Sequence, residues 1–203
     1  MDVIVVRSNT EANEALELLR SAEVLGCDTE TSGLHPSSGK LLSIQFSDGT
    51  TNVLIPISEG ADAVAFRGLL KDDSVTKVFH NARFDLTFLN AAGLQTSGIF
   101  DSMIAEKILT RGADQSISLS ETLYRYFAVD LDKSKRKRFG RNWNGAWTSD
   151  LVEYAMNDVV HLPRLMSEQT EWLKKLGLER DYLEALETAI SKVTSGDTPD
   201  DLP

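Results

Sequence analysis

The chain has 203 residues, which suits one domain or one domain with a helical extension. Hydrophobic residues make up 41% and charged residues 26%, so it can bury a core and wholesale disorder is excluded. Lys and Arg number 21 against 31 Asp and Glu, a formal net charge of −10; this speaks against an overall basic nucleic-acid-binding surface but leaves room for a local basic patch, or for carboxylates that await divalent metal.

The longest apolar runs, such as Val3-Ile4-Val5-Val6, are too short for a membrane-spanning helix. The N-terminus carries Asp2 and no basic start with a long apolar stretch, so no secretory signal is expected. The one cysteine, Cys27, cannot form an internal disulfide or a thiolate zinc site, and a reducing cytoplasm is the expected compartment.

In chain order the pattern is mixed α/β. Val3 to Val6 reads as a strand, and Glu11 to Arg20 as an amphipathic helix with Thr10 as N-cap and Ala15, Leu16, Leu18 and Leu19 on its apolar side. Val24 to Glu30, Leu41 to Ser47 and Val53 to Ile57 read as strands of an antiparallel meander, the last two joined across the turn signal Asp48-Gly49. A helix from Ala61 to Leu70 and a strand from Thr76 to Phe79 follow, then a helix from Ala82 to Ala92 that stops at Gly93. Ser102 to Thr110 and Ser118 to Phe127 read as helices, and Leu131 to Trp147 as a loop. One long helix is expected from Thr148-Ser149-Asp150 to Leu176, kinked at Pro163 and ended by Gly177, and a last one from Glu179 to Val193. The expectation is therefore a single domain over 1–194, a sheet covered by helices with a helical C-terminal part, followed by a disordered acidic tail over 195–203.

Three residue pairs have spacings that suit chemistry. Asp28 and Glu30 stand two apart in an apolar strand and so share a face; two adjacent carboxylates repel, and a divalent cation compensates directly. Taken alone, the pair also fits a solvated strand end. Asn81 and Asp85 lie one turn apart where a helix opens, which also fits an N-cap and a first-turn acid. Tyr154 and Asp158 stand at i, i+4 on one helix face, which also fits a packed phenol and a solvated carboxylate. Tyr126 and Asp130 repeat this spacing, but Asp130 falls where its helix should be ending.

Taken in order, a strand with Asp28-Thr29-Glu30-Thr31, then Phe79-His80-Asn81 with Phe84-Asp85, then Tyr154-Ala155 with Asp158-Val159, the chain resembles the DEDD superfamily of 3′-5′ exonucleases. It is more similar to the tyrosine branch, which holds ribonuclease D and the proofreading domain of bacterial DNA polymerase I. The sister branch carries a histidine five residues before the last aspartate, and Glu153 stands there. Leu34, Ser43-Ile44-Gln45, Phe100-Asp101-Ser102-Met103 and Leu131-Asp132-Lys133-Ser134 extend the likeness, which covers about residues 1 to 190.

The resemblance implies a ribonuclease H-like fold, with three antiparallel strands followed by parallel ones, and a two-metal centre. Two divalent ions roughly 4 Å apart, Mg²⁺ or Mn²⁺, activate water and stabilise the leaving oxygen. It implies that Asp28 bridges the ions, that Glu30 and Asp158 complete the site of the water-activating one, and that Asp85 holds the other. Tyr154 orients the attacking water, and Thr31, Leu34 and Asn81 position the 3′-terminal nucleotide.

The stretch Lys133 to Arg141 has six basic residues in nine, Lys133, Lys135 and Arg136 among them, and lies beside Trp143 and Trp147. Lys and Arg neutralise phosphates and tryptophan stacks on bases, so a nucleic-acid contact is expected there; a solvated loop with core tryptophans is the other reading. His80 and Cys27 read as structural. The expected activity is removal of nucleoside 5′-monophosphates from single-stranded DNA or RNA 3′ ends, with a slight lean to DNA and a DNA polymerase or repair complex as an open partner. The alternatives are ribonuclease D-like RNA 3′-end processing and a non-catalytic nucleic-acid-binding or polymerase-partner module on the same fold.

Overall fold

The computed structural model of the chain describes residues 1–131 and 143–194. Its strands are β1 (Ile4–Val5), β2 (Val24–Thr31), β3 (Leu41–Ser47), β4 (Asn52–Ile55), β5 (Thr76–Phe79) and β6 (Ile99–Asp101). They form one sheet in the order β1-β4-β3-β2-β5-β6. The β2–β3 and β3–β4 pairs are antiparallel, whereas β5 and β6 continue the other edge in parallel and β1 joins β4 in parallel. The expected antiparallel meander with parallel additions is thus borne out. β6 lies within a stretch not read as a strand, because three residues carry no periodicity.

The helices are α1 (Asn9–Leu19), α2 (Arg67–Lys71), α3 (Ala82–Ala91), α4 (Ser102–Leu109), α5 (Leu119–Phe127), α6 (Ser149–Asn157), α7 (Leu162–Leu176) and α8 (Glu179–Thr194). α1 begins earlier than expected. Ser8, not Thr10, is its cap, because Glu11 stands three residues on: the Ser8 hydroxyl accepts from the Glu11 N–H, and the Glu11 carboxylate accepts from the Arg7 N–H and the Ser8 hydroxyl. Leu18, assigned to the apolar side, is 55% exposed; Ala12 is buried there in addition to Ala15 and Leu19. The helix expected from Ala61 to Leu70 is a 3-10 turn (Ala63–Phe66) running into the short α2.

The long helix expected from Thr148 to Leu176 is two. α6 ends at Asn157, and α7 starts at Leu162 with Pro163 in its first turn. A proline there has no intrahelical N–H to lose, so it opens a helix instead of kinking one.

Two apolar layers fill the faces of the sheet. One holds α1, α2 and α3 against Leu25, Cys27, Phe46 and Phe79; the other holds α4 to α8 against Val78 and Leu54. Period-two alternation along β2 sends Leu25, Cys27 and Thr29 to the first layer and Gly26, Asp28 and Glu30 to the second. No helix among the described residues is long and apolar enough to cross a membrane.

Candidate active site and metal centre

Asp28 and Glu30 lie side by side near the end of β2, just before an irregularity in its pairing with β3 between Glu30 and Thr31. Such bulges re-aim side chains where pairing ends. Asp158 joins them from the turn between α6 and α7. Each of the three offers a carboxylate oxygen, and these oxygens lie within 4.8 Å of one another. Asp28 and Asp158 are 130 positions apart in the chain, so it is the fold that brings them together.

The approach depends on a glycine. A Cβ at Gly26 would lie 2.2 Å from the Val159 carbonyl oxygen and 3.0 Å from Leu162 Cβ. Gly26 shares its face with Asp28, so the missing side chain lets the backbone after Asp158 rest directly on β2. Sequence reading did not single out Gly26, although a glycine two residues before the first acid is the signal that marks it.

The fourth acid arrives from the other side. Asp85, in the first turn of α3, is buried, and its Oδ1 accepts a 2.6 Å hydrogen bond from the Thr29 hydroxyl. Thr29 faces the α3 layer, opposite to its neighbours Asp28 and Glu30, and so ties α3 to the strand that carries them. Asp85 stands outside the group of three carboxylates. Burial pushes its carboxyl up to about 7, against the Thr29 bond that favours the ionised form. The Asp28 carboxyl is pushed well above the usual carboxylate range, by burial first and then by the charges of Asp85, Asp158 and Glu30.

Such crowding calls for positive charge. Three convergent carboxylates are a hard-oxygen donor set of the kind that suits Mg²⁺ or Mn²⁺. The neighbouring strand lends polar support: Gln45 pairs with Asp28 and Ser43 with Glu30 in the β2–β3 register, both fully buried. Gln45 Nε2 donates to Ser43 Oγ at 2.6 Å, while Gln45 Oε1 has no hydrogen-bond partner among the described residues. A buried acceptor left open beside the acids fits a site completed by a hydrated cation. The residues present thus fit the metal that the motifs imply.

Tyr154 is buried on α6, one turn before Asp158. The decoy Tyr126 is instead half-buried beside Glu106, which takes Arg125 Nη2 and Gln169 Nε2 at 3.0 Å each. Asp130 lies beyond the end of α5, as the pattern suggested. His80 has a structural position, its ring within hydrogen-bond distance of the Ser102 hydroxyl (2.8 Å) and the Ile117 carbonyl (2.9 Å). Cys27 is buried in the core.

Of the residues assigned to substrate, Leu34 is 66% exposed on the loop after β2. That loop is cinched: the Thr31 hydroxyl donates to the Gly33 carbonyl, Ser32 and Lys40 exchange two bonds, and Gly33 and Gly39 meet so closely that a Cβ on Gly39 would lie 2.9 Å from Gly33 Cα. Asn81 sits at the start of α3 with a left-handed backbone (φ 77°, ψ 56°), and its amide makes no capping bond to that helix. Trp143 packs edge-on against Trp147, with ring centroids 5.3 Å apart, and Trp147 is fixed by Ser58 and Glu59. Lys133, Lys135, Arg136 and the tail over 195–203 lie outside the described residues.

A mixed sheet of this order, with carboxylates converging from its central strand and from a helix break, defines a ribonuclease H-like nuclease fold. The chain belongs to the 3′-5′ exonuclease family, whose model matches residues 3–173. The kinship read from the three motifs is borne out at that level. DNA polymerase I of Aquifex aeolicus is 29% identical over 194 residues, 95% of this chain and 31% of that protein. Ribonuclease D of Bartonella henselae is 33% identical over 161 residues, 78% of this chain and 38% of its own length. The chain thus spans less than two-fifths of these two curated relatives. Among solved structures, Brucella melitensis NrnC superposes with a TM-score of 0.79 at 28% identity, covering 95% of this chain and 90% of NrnC.

Proposed function

We propose that this chain is a metal-dependent 3′-5′ exonuclease that removes nucleoside 5′-monophosphates from single-stranded 3′ ends. The observation that carries the reading is the convergence of Asp28, Glu30 and Asp158 within 4.8 Å, from a strand and a helix break far apart in sequence.

Asp28, Glu30 and Asp158 would hold the water-activating ion, and Asp28 together with Asp85, the acid hydrogen-bonded to Thr29, would hold the other. Mg²⁺ or Mn²⁺ bound there supplies a lowered pKa for water and neutralises charge on the attacked phosphate. The chain's own groups hold and aim the reactants. Tyr154 orients the attacking water one turn from Asp158, as a hydrogen-bond partner and not the principal base. Leu34 packs on the terminal base from its cinched loop, Thr31 and Asn81 position the sugar-phosphate, and Lys133, Lys135, Arg136 and Trp143 contact the strand further along.

NrnC is known with bound Mg²⁺ and bound to pGG, which supports both a divalent ion and an oligonucleotide at this fold's site. DNA as substrate is supported by the match of 95% of the chain to a DNA polymerase I, which also makes a polymerase or repair complex the partner to seek. Ribonuclease D-like RNA processing is supported as well, by 33% identity to a ribonuclease D.

The test is digestion of 5′-labelled single-stranded DNA and RNA of one sequence in Mg²⁺, Mn²⁺ or EDTA, beside Asp28→Ala. A metal-dependent ladder shortening from the 3′ end and absent in the variant is the expected result, and the faster sugar names the substrate. A folded wild type that binds metal but yields no ladder on either strand refutes the reading.

A further inference from the structure

We propose that Asp101, which lies outside the three motifs, is a positioning residue for this site. It caps two helices at once, and so fixes the α3 turn that carries Asp85 and releases the Asn81 amide for the terminal nucleotide. The proposal rests on the exonuclease reading.

Asp101 is the last residue of β6 and pairs with Phe79, the last of β5, so the two strands end side by side. Each leads into a helix, α3 after β5 and α4 after β6, and each helix opens with backbone N–H groups that have no carbonyl within the helix to bond. One carboxylate serves both. Asp101 Oδ1 accepts from the Met103 and Ile104 N–H groups of α4 at 2.9 and 3.1 Å, and from the Asn81 N–H at 3.2 Å. Its Oδ2 accepts from the Ala82 N–H of α3 at 2.8 Å. The side chain is 1% exposed, and its own N–H donates to the Tyr182 hydroxyl of α8 at 2.9 Å. The Tyr182 ring lies tilted against Phe100, with centroids 5.0 Å apart, so α8 holds the cap from behind.

The arrangement explains Asn81. Asparagine is among the best residues for capping a helix it precedes, but it does so from extended backbone. Here it is left-handed and makes no capping bond, because Asp101 reaches across from the next strand and takes the work. The Asn81 side chain therefore leaves the helix it opens, one turn before Asp85. Asparagine at 101 could not replace the acid, since its single carbonyl oxygen would face donors that now use two oxygens, and its amino group would oppose them.

The experiment measures kcat and KM on single-stranded DNA and on RNA of the same sequence, and in parallel the binding of 5′-fluorescein single-stranded 12-mers of both in EDTA by anisotropy. The proteins are wild type, Asp101→Asn, Asn81→Ala and the double variant, with melting temperatures recorded for each. Asp101→Asn is expected to stay folded at assay temperature, to raise KM and weaken 12-mer binding about tenfold, and to lower kcat about tenfold through Asp85. The double variant should bind little worse than either single one, within about twofold, because both changes misplace the same amide. If Asp101→Asn does not fold, Tyr182→Phe, which removes only the acceptor of the Asp101 N–H, should raise KM severalfold with the melting temperature above assay conditions.

Folded variants with KM and binding within twofold of wild type, or losses that multiply in the double variant, overturn the proposal. A wild type that binds DNA and RNA 12-mers but cuts neither refutes the exonuclease reading alone, and the binding cycle still decides the role of Asp101. A wild type that neither cuts nor binds either DNA or RNA overturns both.

Discussion

Gly26→Ala tests whether the floor of the acidic site depends on one missing methyl group. Gly26 is not among the glycines with positive φ, so alanine meets no backbone penalty and the test is purely steric. The new Cβ would sit 2.2 Å from the Val159 carbonyl oxygen, and that oxygen must retreat by about 1 Å to reach van der Waals contact. The obstacle is backbone, and Leu162 and Pro163 close in at 3.0 and 3.2 Å, so no flexible side chain can absorb the strain. Overpacking of this kind costs about 1–3 kcal/mol, which for a domain of this size lowers the melting temperature by about 2–12 °C.

The larger effect falls on Asp158, the residue before Val159, which must move with it away from Asp28 and Glu30. A displacement near 1 Å among catalytic groups costs on the order of a hundredfold in turnover. Mg²⁺ titrations read by thermal shift should show half-saturation raised about tenfold, with 3′-end digestion slowed about a hundredfold. Gly68→Ala, where an added Cβ meets nothing within 4 Å, should change neither. A Gly26→Ala protein that titrates with Mg²⁺ and digests DNA as the wild type does would refute the idea that this contact sets the site.

Three further outcomes are expected. Without metal, Asp28 and Asp85 keep protons in the folded protein that the unfolded chain has released above about pH 4, so the folded state binds more protons. Stability in EDTA should therefore fall as pH rises from about 4 through about 7, and Mg²⁺ should restore it near pH 8; melting temperatures in EDTA that are flat or rising over that window would contradict the assignment. Tyr154→Phe should leave the Mg²⁺ thermal shift intact while lowering kcat about a hundredfold, as single-turnover digestion would show. Leu34→Ala removes an exposed side chain, so stability should stay within about 0.5 kcal/mol while KM for single-stranded ends rises severalfold in steady-state assays.

The acids were legible because their spacing is local. Strand alternation puts Asp28 and Glu30 together, and one helical turn separates Tyr154 from Asp158, whatever the tertiary fold. What stayed hidden depends on partners distant in sequence. Thr29 looks like filler between two acids until α3 is placed behind β2, and Gly26 looks like a weak strand residue until Val159 is set upon it. Pro163 read as a kink because periodicity runs on through it; only the break that the structure shows lets Asp158 turn towards the sheet. β6 escapes notice because three residues have no period, and its last residue, Asp101, stands in the sequence only as part of the family likeness.

The bond from Tyr182 to Asp101 bears on where the working unit ends. A chain cut at Gly177 would retain every residue of the three motifs and the whole sheet, yet would lose the hydroxyl that holds Asp101 and the ring that covers Phe100. α8 would then be no appendage but a strut, and a transplant of this domain into another protein would have to carry it to keep Asp101 held at the two helix starts.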